Sequence, residues 1–470
     1  MPSRGASRPL LTTDLLAHDR AVLVAPAGCG KTQVIAEALQ RIGHGRHLVL
    51  THTHAGVGAL RGRLSQLGVP AERFRVETIA SWALRMSANY PSLSGLGTTR
   101  PTGAEWNATY PAAERLLQTR VGRTVVQGSY DTLFVDEYQD CIESQHRLVL
   151  ALANLMPCRV VGDPLQGIFG FRGNRLVSWE TDVFPQFDRV PDLNHPWRWD
   201  RHPELGRWLL SIRPALERGL PIDTSGSPVA WRQQGEERSA CFDVARRDGS
   251  AVALRQWARD CHVLASQLRG TFTSMEEMDC KELLTITRAF QEASGSGLVR
   301  AVIDAAATCM TKVSVALRPI LNALDAGRLV ASVRPARLSQ VVSELSAVEA
   351  GLDVGAISRG LRAIARIPGI VAYRRELLAE LHRTLAAFGD GGFASLEEAA
   401  WVVRNRTRVA GRAAERRVVS RTLLVKGLEF EHVVLCAADE LDAKNLYVAL
   451  TRGSRSVTVV ARSPVLHASR

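Results

Sequence analysis

Short apolar runs recur along the first third of the chain, each ending in a small or polar cluster and each followed by helical spacing. Val22–Val24 is one such run, and Arg46–Thr51 (RHLVLT) is a second, leading into a helix over Ala55–Leu67. Glu72–Ile79 predicts a short extended segment, Asp131–Gln139 (DTLFVDEYQ) a strand with a polar end, and Cys158–Val161 another, ending in Gly162-Asp163. A helix over Ser144–Leu155 separates the last two. Strands alternating with helices at this spacing predict an α/β fold with a parallel, doubly wound sheet. Ligands of such sheets gather at the carboxyl ends of the strands, where these polar clusters fall.

Beyond Pro203 the pattern changes. From Leu264 to about Arg406 leucine, alanine and valine recur at helical spacing, broken at Gly295, Pro319, Pro335, Pro368 and Gly389–Gly392. Buried-strand runs return at Arg417–Leu424, Glu431–Cys436 and Ser456–Ala461, with a helical stretch at Tyr447–Arg452. A second α/β lobe is therefore expected to close the chain, with the helical block inserted in it. Tyr90–Arg123, rich in Pro, Ser and Gly and with a short helix expected near Ala112–Thr119, is read as a small insertion in the first lobe.

The chemistry starts in the first loop. Ala25-Pro26-Ala27-Gly28-Cys29-Gly30 joins a strand to a helix that opens on Lys31-Thr32-Gln33. Glycines at 28 and 30 let backbone N–H groups curl around phosphate oxygens, and the helix N-terminus adds positive potential. Lys31 is placed to reach terminal phosphates and Thr32 to hold Mg²⁺. Ala25 stands where this motif usually has its first glycine. The nucleotide-contacting positions are then Ala27, Gly28, Cys29, Gly30, Lys31, Thr32 and Gln33. At the end of the 131–139 strand, Asp136 suits a Mg²⁺ ligand and Glu137 the group that activates water.

Charge adds a partner class. The 470 residues carry a formal net charge of +12, which suggests a polyanion. Only five lysines occur, and two of them, Lys31 and Lys426, lie inside motifs. A compact ammonium suits a phosphate in a way that a planar guanidinium does not. The eight cysteines include no CxxC pair, which argues against a zinc or iron–sulfur cluster and for a reducing cytoplasm. No apolar run reaches membrane-spanning length, and no acidic cluster outside the nucleotide site has metal-ligand spacing.

The motif set resembles the superfamily-1 helicases of UvrD/Rep/PcrA type. DEYQD (Asp136–Asp140) and GDPLQGIFGFRG (Gly162–Gly173) are similar to that family's motifs II and III. Leu48–Leu64 resembles motif Ia, Thr78–Arg85 motif Ib, Val425–Leu435 motif V and Leu446–Gly453 motif VI. The resemblance implies two RecA-like lobes with ATP between them and single-stranded or partly duplex DNA across their top, moved 3′ to 5′. The expected divisions are lobe 1 over 1–85 and 126–192, a small insertion at 86–125, lobe 2 over 193–263 and 411–470, and a helical insertion at 264–410.

The resemblance also implies roles. Gln166 would sense the γ-phosphate, Arg198 and Arg452 would close on the phosphates from the second lobe, and Gly427 and Glu429 would line the cleft. Trp197 would stack on adenine, in a motif IV (Leu193–Arg198) where Pro196 replaces asparagine, with Trp199 a competitor for that place. Thr51, His52, Thr78, Phe169, Phe171 and Arg172 would meet DNA, the two phenylalanines by stacking on bases. No glutamine motif precedes Lys31, His52 replaces a phenylalanine, and Leu423 replaces a histidine. In size and layout the chain is also similar to the helicase-like subunit of the Gabija antiphage system. A DNA-sensing ATPase that regulates a partner nuclease or effector is therefore a second expectation, and a phosphate-loop scaffold without nucleic acid a third.

Overall fold

A computed structural model describes residues 8–99, 101, 105–170, 175–277, 281–410 and 415–468. Its first lobe is built on β1 (Arg20–Val24), β2 (His47–Thr51), β3 (Phe74–Thr78), β4 (Thr132–Val135), β5 (Cys158–Gly162) and β6 (Asp188–Arg189). They form one parallel sheet in the order β3-β2-β4-β5-β1-β6. Side chains alternate between its faces, as strand geometry requires. Val22, Val24, Leu48, Leu50, Leu133 and Val135 enter one core, and Leu23, Val49, Phe134 and Val161 the other. Covering both faces is what makes these strands read as continuous apolar runs.

The second lobe repeats the plan. β7 (Ile222–Asp223) pairs with β14 (Val465–Leu466) as a small antiparallel ribbon. The main sheet takes β8 (Ala230–Gln233), β9 (Ala251–Arg255), β10 (Thr273–Ser274), β11 (Arg417–Arg421), β12 (Phe430–Cys436) and β13 (Gly453–Ala461). Its order is β10-β11-β9-β12-β13-β8, again all parallel. Val252, Leu254, Val433 and Leu435 fill one face, and Ala251, Ala253, Val434 and Cys436 the other. The two RecA-like lobes expected from the sequence are thus two six-stranded parallel sheets.

The structure corrects several boundaries. The short helix expected near Ala112–Thr119 is two helices, Trp106–Gln118 and Arg120–Ser129, with Thr119 capping the second through Gly122 N–H. Pro111 lies inside the first, yet Tyr110, Ala113, Leu116 and Leu117 are buried in the lobe-1 core, and that packing outweighs the lost backbone bond. The strand expected to Leu424 stops at Arg421 and tightens into a 3₁₀ turn, Thr422–Val425. The helical block expected from residue 264 starts its own helices at Lys281, because Ala258–Gln267 packs on the second sheet and β10 pairs with β11. From there to Ala410 the helices close around a separate core that includes Phe290, Leu345, Leu361 and Leu381. No helix among the described residues is long and apolar enough to cross a membrane.

Candidate nucleotide and nucleic-acid site

The loop after β1 makes two left-handed turns, Gly28 at φ 71° and Gly30 at φ 93°. Gly30 opens the helix Lys31–Ile42 with no side-chain cap, so the first amides of that helix are left for an anion. A Cβ on Gly28 would lie 2.5 Å from the Trp199 ring and 2.8 Å from Arg198 Cβ. The loop is therefore wedged against the segment read as motif IV. Lys31 Nζ donates to Ala25 O at 3.2 Å and lies 3.9 Å from Glu137 Oε1. Gln33 is tied to Glu37 at 2.6 Å. Burial pushes the Cys29 thiol up to about 12, against the pull of Lys31, so it offers no thiolate, and its amide closes a turn on Pro26 O at 3.2 Å. The Ala27 amide donates to the Tyr447 hydroxyl at 3.3 Å, and its side chain packs in the second lobe's core.

Glu137 follows β4 in a left-handed conformation, φ 56°, which is uncommon for a residue with a side chain and turns the carboxylate back toward the loop. Burial opposes its ionisation, but Lys31 and Lys426 hold it below the usual carboxylate range. Asp136, 4% exposed, is pushed the other way by burial and then by Glu137's charge. A buried carboxylate short of positive charge, together with the Thr32 hydroxyl, is the oxygen donor set that Mg²⁺ takes.

Gln139 donates to Glu137 and accepts from Asp163 N at 2.9 Å. Asp163 is fully buried and receives Gln166 Nε2 at 2.8 Å and both Nη atoms of Arg213, at 2.9 and 2.8 Å. Arg213 Nη1 also donates to the Tyr447 hydroxyl at 2.7 Å, and that hydroxyl accepts from Ala27. A closed circuit thus runs from Glu137 through Gln139, Asp163, Arg213 and Tyr447 to the phosphate-type loop. Sequence reasoning assigned none of these four relays. Asp163 ends an apolar strand just as Asp136 does, which was a usable signal; Arg213 carried none, since only the fold brings it to Asp163.

The second lobe reaches in at three more points. Arg452, 2% exposed, donates to Val448 O at 2.9 Å, Leu428 O at 3.2 Å and Gln166 Oε1 at 3.4 Å. Burial, then the neighbouring Arg198, lowers it to about 9, which still leaves it a cation at neutral pH. Arg198 is held by Glu429 at 2.6 Å and Thr451 O at 2.8 Å. Lys426 Nζ bonds both Asp140 oxygens, at 2.5 and 2.6 Å, and also Gln166 O. Gly427, exposed at φ 82°, follows it. Trp199 is 1% exposed and donates to Gly453 O at 2.7 Å, so it is a wedge, not an open stacking face. Trp197 is half-buried, with the His195 ring 4.0 Å from its own.

On the nucleic-acid side the residues are spread. Thr51 is 1% and Thr78 5% exposed, and the Thr78 hydroxyl caps the helix Ile79–Asn89. His52 is half-buried, 3.5 Å from Cys141 Sγ, and burial followed by Lys426 lowers it to about 3. Phe169 lies under Lys426, Nζ 4.7 Å from its ring centre. Phe171 and Arg172 fall outside the described residues. Away from this cleft, His262, Glu276 and Glu282 also converge. Arg374 already bonds both of those carboxylates, so their charge is spent. Their separation along the chain hid this cluster from the sequence.

Residues 104–180 match the model of the UvrD/REP helicase N-terminal domain. A 72-residue stretch is 39% identical to an ATP-dependent helicase/nuclease subunit from Leuconostoc mesenteroides. That stretch covers 15% of this chain and 6% of the relative. Among solved structures, the Pif1 helicase from Candida albicans aligns with TM-score 0.34 at 12% identity, over 58% of this chain and 56% of that one. An arterivirus nonstructural protein 10 (helicase) in complex with DNA aligns with TM-score 0.36 at 11% identity, over 96% of this chain and 62% of that one. The family match spans β4, the Asp136–Asp140 cluster and β5, and over that segment the chain is similar to the UvrD/REP helicases.

Proposed function

We propose that the chain is an ATP-driven translocase or helicase on single-stranded DNA, moving 3′ to 5′ in the cytoplasm. The observation that carries this reading is the hydrogen-bonded circuit linking Glu137, motif III and the loop to Tyr447 and Arg452 of the second lobe. A contiguous circuit of that kind gives hydrolysis at one point a physical path along which to act on the other lobe. The loop amides of Gly28 to Thr32 and the Lys31 ammonium bind the phosphates. Glu137, kept ionised by Lys31 and Lys426, orients the attacking water and accepts its proton. Arg452 and Arg198 neutralise charge that grows on the phosphoryl oxygens. Thr32 and Asp136 would hold Mg²⁺, which would supply charge neutralisation at the phosphate oxygens. The strand runs over His52 and Phe169. Adenine stacks on Trp197.

Steady-state ATP hydrolysis with and without single-stranded DNA tests the reading. Stimulation of about tenfold or more is expected, and Glu137→Gln should keep nucleotide binding while turnover falls about a hundredfold or more. Hydrolysis indifferent to DNA would overturn the motor. Silence under both conditions would favour the second reading, a protein governing a partner nuclease or effector; a relative named as a helicase/nuclease subunit gives that reading its support.

A further inference from the structure

The helical block carries a surface cleft that none of the nucleotide or nucleic-acid motifs touches. The short helix Val313–Ala316 passes through Leu317 into the helix Arg318–Asp325, with Pro319 in its first turn. Val313, Leu317 and Ile320 are buried in the block's own core, while Val315 is left 64% exposed. Val315, Arg318, Pro319 and Asn322 line the cleft together with Arg337, which comes from the turn Ala336–Leu338. Its volume is about 430 Å³. Residues 312–337 hold five basic side chains, Lys312, Arg318, Arg328, Arg334 and Arg337, and a single acidic one, Asp325. Asp325 is already taken by Arg300. Other arginines of the block are matched by carboxylates, Arg288 by Glu397, Arg359 by Glu344 and Arg404 by Glu380. Among the described residues neither Arg318 nor Arg337 has such a match, and no acidic residue lines the cleft.

One exposed valine means nothing by itself. Here it shares a concavity with a proline and two unmatched guanidiniums, and the volume falls in the range of clefts that take a discrete ligand, about 300–1,000 Å³. A guanidinium fork pairs with a carboxylate through two parallel hydrogen bonds. The apolar lining is aliphatic, Val315 and Pro319, and has no ring on which a base could stack. We propose that this cleft docks an acidic segment of a partner protein, which sets one apolar side chain against Val315 and Pro319 and its carboxylates on Arg318 and Arg337. The Asn322 amide, donor and acceptor at once, suits the backbone of such a segment. The proposal goes beyond the motor reading and does not rest on it, since it uses no residue of the cleft between the lobes.

The test selects random displayed peptides on the full chain and titrates the leading sequence, labelled with fluorescein, by anisotropy. Selected sequences should set aspartate and glutamate around one leucine, isoleucine or valine. Arg318→Glu with Arg337→Glu should weaken that peptide about tenfold or more, because like charges then face each other. A peptide with lysines in place of its acids should regain affinity for the double variant, a rescue that a merely misfolded variant would not give. Both arginines are exposed, so the thermal midpoint should stay at the wild-type value. Selection that returns no acidic sequence, or a selected peptide that binds the double variant as well as wild type, overturns the proposal. It is also overturned if a fluorescent duplex oligonucleotide loses affinity for the double variant as far as the peptide does, since the two arginines then serve a nucleic acid. Hydrolysis indifferent to DNA, the result that defeats the motor, changes none of these readouts.

Discussion

Gly28 answers two demands at once. Its φ of 71° is strained for any side chain, and the Trp199 ring stands 2.5 Å from where a Cβ would sit. Gly28→Ala should therefore displace the loop from Trp199 and weaken a fluorescent ATP analogue about tenfold or more in a titration, with a lower thermal midpoint. Wild-type affinity in this variant would show that the wedge is immaterial. At this scale much of the site was legible. Gly28, Gly30, Lys31, Asp136 and Glu137 stand out in the sequence because each lies at a loop or strand end, and the structure brings Glu137 within 3.9 Å of Lys31. The Asp163–Arg213 bond did not, since it joins residues whose neighbours in sequence say nothing of each other. Trp197 and Trp199 were indistinguishable as letters, and only burial separates the stacking candidate from the wedge.

At the scale of elements, the helix Ala443–Leu450 matters for one hydroxyl, that of Tyr447 between Arg213 and the loop. Arg213→Ala would leave Asp163 fully buried without its cation, at a cost of about 3–5 kcal/mol. Urea unfolding should show a loss of that order, and Arg213→Met with Asp163→Asn should recover part of it; an Arg213→Ala midpoint equal to wild type would contradict the account. The central strands were readable because their alternating or continuous apolar positions define a face. The two-residue strands β6, β7, β10 and β14 carry no pattern at all. One repetition between lobes was also hidden. Glu137 and Ala437 both take a left-handed kink after a central strand, each precedes a three-residue 3₁₀ turn, and each lies six residues before a helix. The second lobe keeps the geometry of the acidic turn with alanine in place of the carboxylate.

Across the whole molecule, the lobes meet through buried polar contacts as well as a shared apolar patch. Burial lifts Asp140 to about 7 against the pull of Lys426, and burial lowers Lys426 in turn. Each member is thus tolerated because of the other. Lys426→Met alone should lower the thermal midpoint more than the Lys426→Met/Asp140→Asn double variant does, and additive losses would show the pair is uncoupled. Lys426 also covers Phe169, so a base stacking there must share or displace the ammonium that joins the lobes.

The placement of the helical block has its own consequence. β10 and β11 are parallel neighbours, and parallel neighbours are always joined by a crossover that travels back over the sheet. The helices from Lys281 to Ala410 are that crossover, grown a core of their own and moored where Arg374 grips Glu276. The cost of lengthening a connection rises only with the logarithm of its length. For the sheet, then, the block is a detachable cassette: its length and core can change while β9, β11 and β12 keep their register.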